Sequence, residues 1–379
     1  MDFSPSSDDF AIAAAIERFA AEVLKPRAHA IDEEGAFVSE HLGPLAELGV
    51  MGLNLPERWG GPGVSPVALY LCVEALAGAC GSTVSMVTAH FLATDSILIG
   101  GDDVQRARFL PEAARGMRLG AFALTEPRAG SNPADMSSRA VREADGYRIT
   151  GVKHFISNAA HADLIVVFAK TDEAVGARGI SAFVVEPARG GVTFAPAEKT
   201  MGLRGGHVFE VAFDCHVPED HRLGPEGSGF RTALKVLDNG RVEVAAMCTG
   251  MAREALSLAL DWAKQRQVGG HPLADFQGLQ WMLADMATEL DAARLLGLRA
   301  AALRESGVRF SQEASMAKLF ASEKAGTIID RALQIHGGYG YTRGLPLERM
   351  LRDVRIMRIY EGSSEVQRNV IARNLIASA

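Results

Sequence analysis

The chain predicts a protein of mixed α and β structure in three parts: a helical N-terminal domain over 1–118, a small β domain, barrel or sandwich, over 119–226, and a helical bundle over 227–379. Three observations predict it. Long apolar stretches at helical spacing fill both ends of the chain. Between them, starting near Gly120, come several short strand-like runs with no long helix among them. And 379 residues exceed what one hydrophobic core usually holds.

In the N-terminal part, residues 10–24 form an Ala-rich amphipathic stretch that should stop at Lys25-Pro26, since proline lacks the N–H and crowds the preceding turn. Residues 42–48 make a shorter helix, and 66–78 and 83–99 are apolar and largely free of breakers. Residues 103–114 carry helical spacing, with Pro111 expected to interrupt or kink it; 59–63 is a Trp-Gly-Gly-Pro-Gly loop. Strands are expected over 147–150, 153–157, 164–168, 180–185 and 209–213, with Asp145-Gly146 as a hairpin turn. From Gly229 onward, 230–265, 276–306 and 311–335 read as long helices with short connections, which make an antiparallel bundle. The last should be capped by Gly337-Gly338, and two shorter helices flank Glu361.

Hydrophobic residues make up 48% and charged residues 22%, and the net charge is −7, which argues against a nucleic-acid partner. No apolar run approaches the roughly 20 residues of a membrane span, so none is expected. The N-terminus has neither a basic nor an apolar leader region, so a cytoplasmic protein is expected. Cys72, Cys80, Cys215 and Cys248 form no C-x-x-C and have no His at ligand spacing; buried thiols and no metal are expected.

The stretch Arg358-Ile-Tyr-Glu361-Gly362-Ser363-Ser364-Glu365-Val366-Gln367 is the most informative. It sets Glu361 on a short break between helices, and Ser364 with Gln367 reads as a capping box for the helix that follows. A carboxylate mounted there can face a cleft as a general base or merely favour the helix dipole. In the β part, Phe122-Ala-Leu124-Thr125-Glu-Pro-Arg-Ala-Gly130-Ser131 offers N–H groups and hydroxyls for a polar ring or phosphate, or is an ordinary turn. Phe155-Ile-Ser157 ends a strand with an aromatic face beside a hydroxyl, suited to a flat ring, or places a core Phe. Gln334-Ile-His-Gly337-Gly338-Tyr-Gly lets backbone approach a ligand closely, and Arg266 and Gln277 offer a cation and an amide for a pyrophosphate or adenine.

In combination and in this order, T-E-P-x-A-G-S, Q-I-H-G-G-x-G and Y-E-G-S-S-E-V-Q resemble the acyl-CoA dehydrogenase family over nearly the whole chain. The resemblance implies that family's fold, with a β-barrel middle domain and a C-terminal four-helix bundle, in its short- or medium-chain branch. It implies a homotetramer with FAD, an acyl-CoA substrate desaturated to the trans-2-enoyl-CoA, and an electron-transferring flavoprotein as acceptor. Glu361 would be the catalytic base, with flavin N5 taking the β-hydrogen as hydride. The backbone N–H of Glu361 and a flavin ribityl hydroxyl would polarise the thioester carbonyl, and desolvation would raise the base's pKa. Phe122, Leu124, Thr125, Gly130 and Ser131 would meet the flavin ring, Ser131 also the substrate. Phe155 and Ser157 would lie at the ring's face and N5, where many members have Trp and Thr. Asp238, Arg241 and Gly362 would lie near the acyl-CoA. Arg266, Gln277, Gln334, Gly337 and Gly338 would hold the adenine-diphosphate end across subunits, and Ser363 and Glu365 would add flavin contacts. Gly240 stands where another branch keeps its base, so Glu361 should act alone. The chain departs from the pattern at Gly269-Gly270, Gly344, Gly206, Val208 and Asn132, which leaves open the contacts around Arg266 and in the segment of Gly206. Two alternatives stand beside this reading: an oxidase-like member that passes electrons to oxygen, and a flavin-bearing scaffold without activity.

Overall fold

The first helical segment does not stop where its proline stands. In the computed structural model, which describes residues 6–378, α1 (Ser7–Phe19) opens on a capping box between Ser6 and Asp9. It runs into a wide π turn over Ala20–Leu24 and a tight turn over Lys25–Arg27. Pro26 falls at the start of that tight turn, where a missing N–H breaks nothing, so the chain bends and α2 (Ala28–Glu34) follows at once. Next come α3 (Leu42–Glu47), α4 (Pro66–Ala79), α5 (Gly81–Gly100) and α6 (Asp103–Ala114). Pro111 lies in the last turn of α6 and does not interrupt it; the helix is anchored at its other end by a capping box of Asp102 and Gln105.

Helix α5 corrects the reading that no apolar run is span-like: its 20 residues are long and apolar enough to cross a bilayer. Yet 83% of its apolar window is buried inside the fold. It also carries Thr88, His90, Thr94 and Asp95, buried and polar, into the interior. It is a core helix.

The strands are β1 (Gly120–Ala123), β2 (Arg139–Glu143), β3 (Gly146–Ser157), β4 (Leu164–Lys170), β5 (Ile180–Val185), β6 (Val192–Phe194), β7 (Val208–Pro218) and β8 (Arg222–Leu223). They form one sheet ordered β6-β7-β3-β2-β4-β5-β8, with β1 parallel to β4. The unbroken apolar run of β4 follows from burial on both faces. Leu164, Val166 and Phe168 pack with Ile97, Phe109 and Leu110 of α5 and α6, while Ile165 and Val167 pack with Tyr147, Ile149 and Phe183. The two strands expected over 147–157 are one. Gly151 sits inside β3 at φ +149°, and a Cβ there would meet Ser138 Oγ at 2.3 Å, so the position takes only glycine.

Helix α7 (Gly229–Gln265) is the spine of the C-terminal part, packed on α4, α5, α8 (Gln277–Glu305) and α9 (Ser311–His336). Gly269 and Gly270, both left-handed at φ +61° and +86°, turn the small hairpin of β9 (Gln267–Val268) and β10 (His271–Pro272). Helix α9 ends at Gly337, as its glycine pair predicts; α10 (Leu347–Val354) and α11 (Ser364–Ser378) bracket the segment of Glu361.

Candidate active site

Four segments converge on one cleft. The loop after β1 is fixed from beneath by a buried ion pair. Glu126 accepts from the N–H groups of Ser137 and Ser138, and Lys153 Nζ reaches Glu126 Oε1 at 2.8 Å and Leu124 O at 3.1 Å. Burial pushes the Glu126 carboxyl up, but the Lys153 ammonium and these hydrogen bonds outweigh it and hold it at about 2.

The second segment is a bulge in β3. Its register against β7 shifts between Lys153 and Ile156, and Phe155 takes φ +57°. His154 N donates to Thr125 O at 2.9 Å, which lays the bulge beside the loop. Phe155 is therefore not a core residue: it is 61% exposed, its ring stacked on His154 at the cleft wall with Ser157 two residues on. Third, α5 supplies Ser85, Thr88, Ala89 and Leu92, and α7 supplies Phe230, Leu234, Leu237 and Arg241.

The fourth segment carries Glu361. The residue is left-handed at φ +52°, a conformation that a side chain adopts only when its surroundings impose it, and Gly362 follows at φ +94°. The expected capping box between Ser364 and Gln367 does not form. Ser363, not Ser364, accepts from the first turn (Val366 N, 3.4 Å), while Ser364 Oγ donates to Glu323 at 2.6 Å. Gln367 instead reaches back with Nε2 to Glu361 O and Gly362 O, at 3.1 and 2.9 Å, and so fixes the turn itself.

Glu361 Oε2 is shielded from solvent and has no hydrogen-bond partner. Burial pushes the carboxyl up to about 7, with Lys318 and then Arg241 pulling against it. Room for it exists only because residue 240 is glycine: a Cβ there would meet Oε2 at 2.1 Å.

The cleft encloses about 350 Å³, and Phe122, Leu124, Thr125, Gly130, Ser131, Phe155, Ser157, Arg241, Glu361 and Gly362 all line it. Asp238 does not; it is engaged by Arg241 at 2.7 Å and by Ser311. Ser363 lies behind the base turn as its cap, and Glu365 is exposed on α11. Arg266, Gly337 and Gly338 line a different cleft of about 410 Å³ with Trp262 and Tyr339; Gln277 and Gln334 are exposed nearby in sequence. A larger cleft of about 510 Å³, lined by Leu55, Leu69, Leu98 and Arg304, receives none of the predicted residues. Sequence reading missed two groups at the base turn, Lys318 and the backward reach of Gln367. Lys318 left a signal: it interrupts the apolar face set by Ala314, Ala317, Ala321 and Ala325 on α9.

A sheet domain between two helical ones thus sets a desolvated carboxylate over a cleft that carries several hydroxyls. The N-terminal, middle and C-terminal domain models of acyl-CoA dehydrogenase match residues 6–117, 121–215 and 227–376, and the chain belongs to that family. It is 39% identical over 379 residues to the acryloyl-CoA reductase (NADH) of Anaerotignum propionicum, covering 99% of this chain and 96% of that one. To subunit CarC of the caffeyl-CoA reductase-Etf complex of Acetobacterium woodii it is 41% identical, covering 91% and 92%. The butyryl-CoA dehydrogenase of Megasphaera elsdenii has the same fold, at a TM-score of 0.97 and 36% identity over 99% of this chain and 100% of that one.

Proposed function

We propose that this enzyme desaturates an acyl-CoA thioester between its α and β carbons, with Glu361 as the base and FAD as cofactor. The observation that carries the reading is the Glu361 carboxylate: aimed into the cleft, stripped of hydrogen-bond partners, and titrating near neutrality. A base poised there can accept a proton at ordinary pH without being so weak that transfer stalls. The Glu361 N–H donates to no protein acceptor among the described residues, so it is free to hold the thioester carbonyl where enolate charge develops.

The donor set fits a flavin. Thr125, Ser131 and Ser157 present hydroxyls with no protein partner among the described residues, and Phe155 offers an exposed ring at the same wall. A flavin held by these residues would supply the acceptor for the β-hydrogen, as hydride. The chain's own groups orient the substrate, exclude water and take the α-proton. Asp238 and Arg241 act beside the acyl-CoA as a pair, Asp238 orienting the guanidinium. Arg266, Gln277, Gln334, Gly337 and Gly338, away from the cleft, serve the cofactor's adenine end in a neighbouring subunit of a homotetramer, and Ser363 and Glu365 add contacts at the base turn. The acceptor is an electron-transferring flavoprotein, since the sequence has no G-x-G-x-x-G between a strand and a helix.

A second reading runs the same site backwards. Two of the similar proteins are named reductases, and a carboxyl near 7 is as able to return a proton as to take one. An anaerobic screen separates these. Acyl-CoAs of graded length that bleach the flavin support desaturation, and a pre-reduced enzyme reoxidised by enoyl-CoAs alone supports reduction. No response to any thioester would end both readings. Peroxide release in air would point to an oxidase.

A further inference from the structure

Lys318 is a buried cation that the chemistry above leaves unused. It stands in the middle of α9, wholly shielded from solvent. An ammonium withdrawn from water is costly unless something compensates it. Yet no carboxylate comes within salt-bridge distance of it among the described residues; its hydrogen bond goes to Gly362 O, at 2.8 Å. That carbonyl belongs to the residue after the base, in the left-handed turn that Gln367 holds from the other side. Glu323, one turn and a half along α9, holds both flanks of the turn through Arg358 Nη1 (3.3 Å) and Ser364 Oγ (2.6 Å). Helix α9 thus holds the turn that presents Glu361 through both Lys318 and Glu323.

We infer that Lys318 is a positioning residue for the base: seated on the Gly362 carbonyl, its ammonium fixes the strained turn and favours the ionised carboxylate of Glu361. The inference rests on the reading of Glu361 as base. The placement matters chemically. A direct salt bridge would stabilise the carboxylate so far that it no longer took protons. Offset onto the next carbonyl, the same charge counters part of the burial and leaves the base reactive.

The charged and titratable surroundings agree. Facing Glu361 are Lys318 from α9 and Arg241 from α7, both of which lower its pKa against burial. Glu243 of α7 feels the Glu361 charge, and Tyr360 lies next to it in the chain. Burial brings Lys318 down to about 8, opposed by Cys248 of α7, Glu361 and Glu323, while Arg241 adds to the fall.

The test is Lys318→Met, which keeps the length of the side chain and removes the donor and charge. The infrared band of the protonated Glu361 carboxyl, identified by its loss in Glu361→Gln, is followed against pH without any turnover. Removing the cation should raise the midpoint by about 1 pH unit or more, as loss of a nearby opposite charge does. The pH limb of anaerobic flavin bleaching should move alkaline with it. Should Lys318→Met not fold, the coupling is read from the other side: in Glu361→Gln, the titration of Lys318, followed by NMR of carbon-13-labelled lysine, should move to lower pH. An unmoved carboxyl midpoint in Lys318→Met, or an unmoved Lys318 titration in Glu361→Gln, overturns the inference. Since both are equilibrium titrations, they stand even if no acyl-CoA bleaches the flavin, which would strike the proposed reaction instead.

Discussion

Gly240→Ala is the sharpest perturbation the site allows. A single methyl group on α7 would lie 2.1 Å from Glu361 Oε2, 2.8 Å from Leu92 Cδ2 and 2.9 Å from Glu361 Cδ. Ordinary contact begins at 3.4 Å, so the carboxylate must withdraw by more than 1 Å. It cannot do so by sliding the backbone, because Gln367 and Lys318 hold the carbonyls of the turn. A misplacement of about 1 Å costs about 10²-fold in rate, which corresponds to about 2.7 kcal/mol of barrier. The helix itself gains, since Ala is favoured over Gly in a helix interior by about 1 kcal/mol. The expected result is therefore a protein that unfolds no earlier than wild type but bleaches about 100-fold more slowly in anaerobic stopped flow with a saturating acyl-CoA. Bleaching within about threefold of wild type would refute the packing of base against Gly240, because a displaced carboxylate could not react that fast. A lower thermal midpoint with normal bleaching would refute it as well, by showing that strain went into the fold and not into the base.

Glu361→Gln should cut bleaching by about 10²–10⁴-fold while FAD content and the acyl-CoA-induced spectral shift survive, as an amide fills the same space but cannot take the proton. In wild type, the bleaching rate of the free enzyme with dilute acyl-CoA should rise with pH and level off above a midpoint near 7, because Glu361 works when ionised. The same group acts on stability in the opposite sense: its folded pKa is raised, so the native state holds the proton longer, and denaturant stability should fall as pH climbs from the ordinary carboxyl range toward 7. Lys153→Met strands a buried Glu126 charge and should cost about 3–5 kcal/mol in urea unfolding, with Lys153→Met/Glu126→Gln recovering part of it.

The helix–sheet–helix order, the long helices and the Glu361 break were legible because each rests on local pattern. Residues that meet only across the fold were not. The unbroken run of β3 through Gly151 was not legible, because the reason for that glycine is Ser138, the residue before β2. Pro26 reads as a stop and Pro111 as a kink, yet Pro26 opens a tight turn where its missing N–H costs little, and Pro111 lies in the last turn of α6, which closes three residues later. Ser364 matches the capping pattern, but Glu323 on α9 draws its hydroxyl away and leaves the cap to Ser363. Phe155 could be a core residue or a cleft wall by sequence, and the bulge that decides it depends on β7, some fifty residues later.

The apolar length of α5 has a consequence at the ribosome. Its partner α7 ends about 165 residues further along the chain. At synthesis rates of roughly 5–20 residues per second, α5 waits about 8–33 seconds for that partner. During that interval the nascent chain carries a 20-residue apolar stretch without the helix that covers it in the finished fold. Asp95 and His90, buried in the finished fold, then serve as a veto: they make lipid a poor refuge for a helix that is destined for the interior.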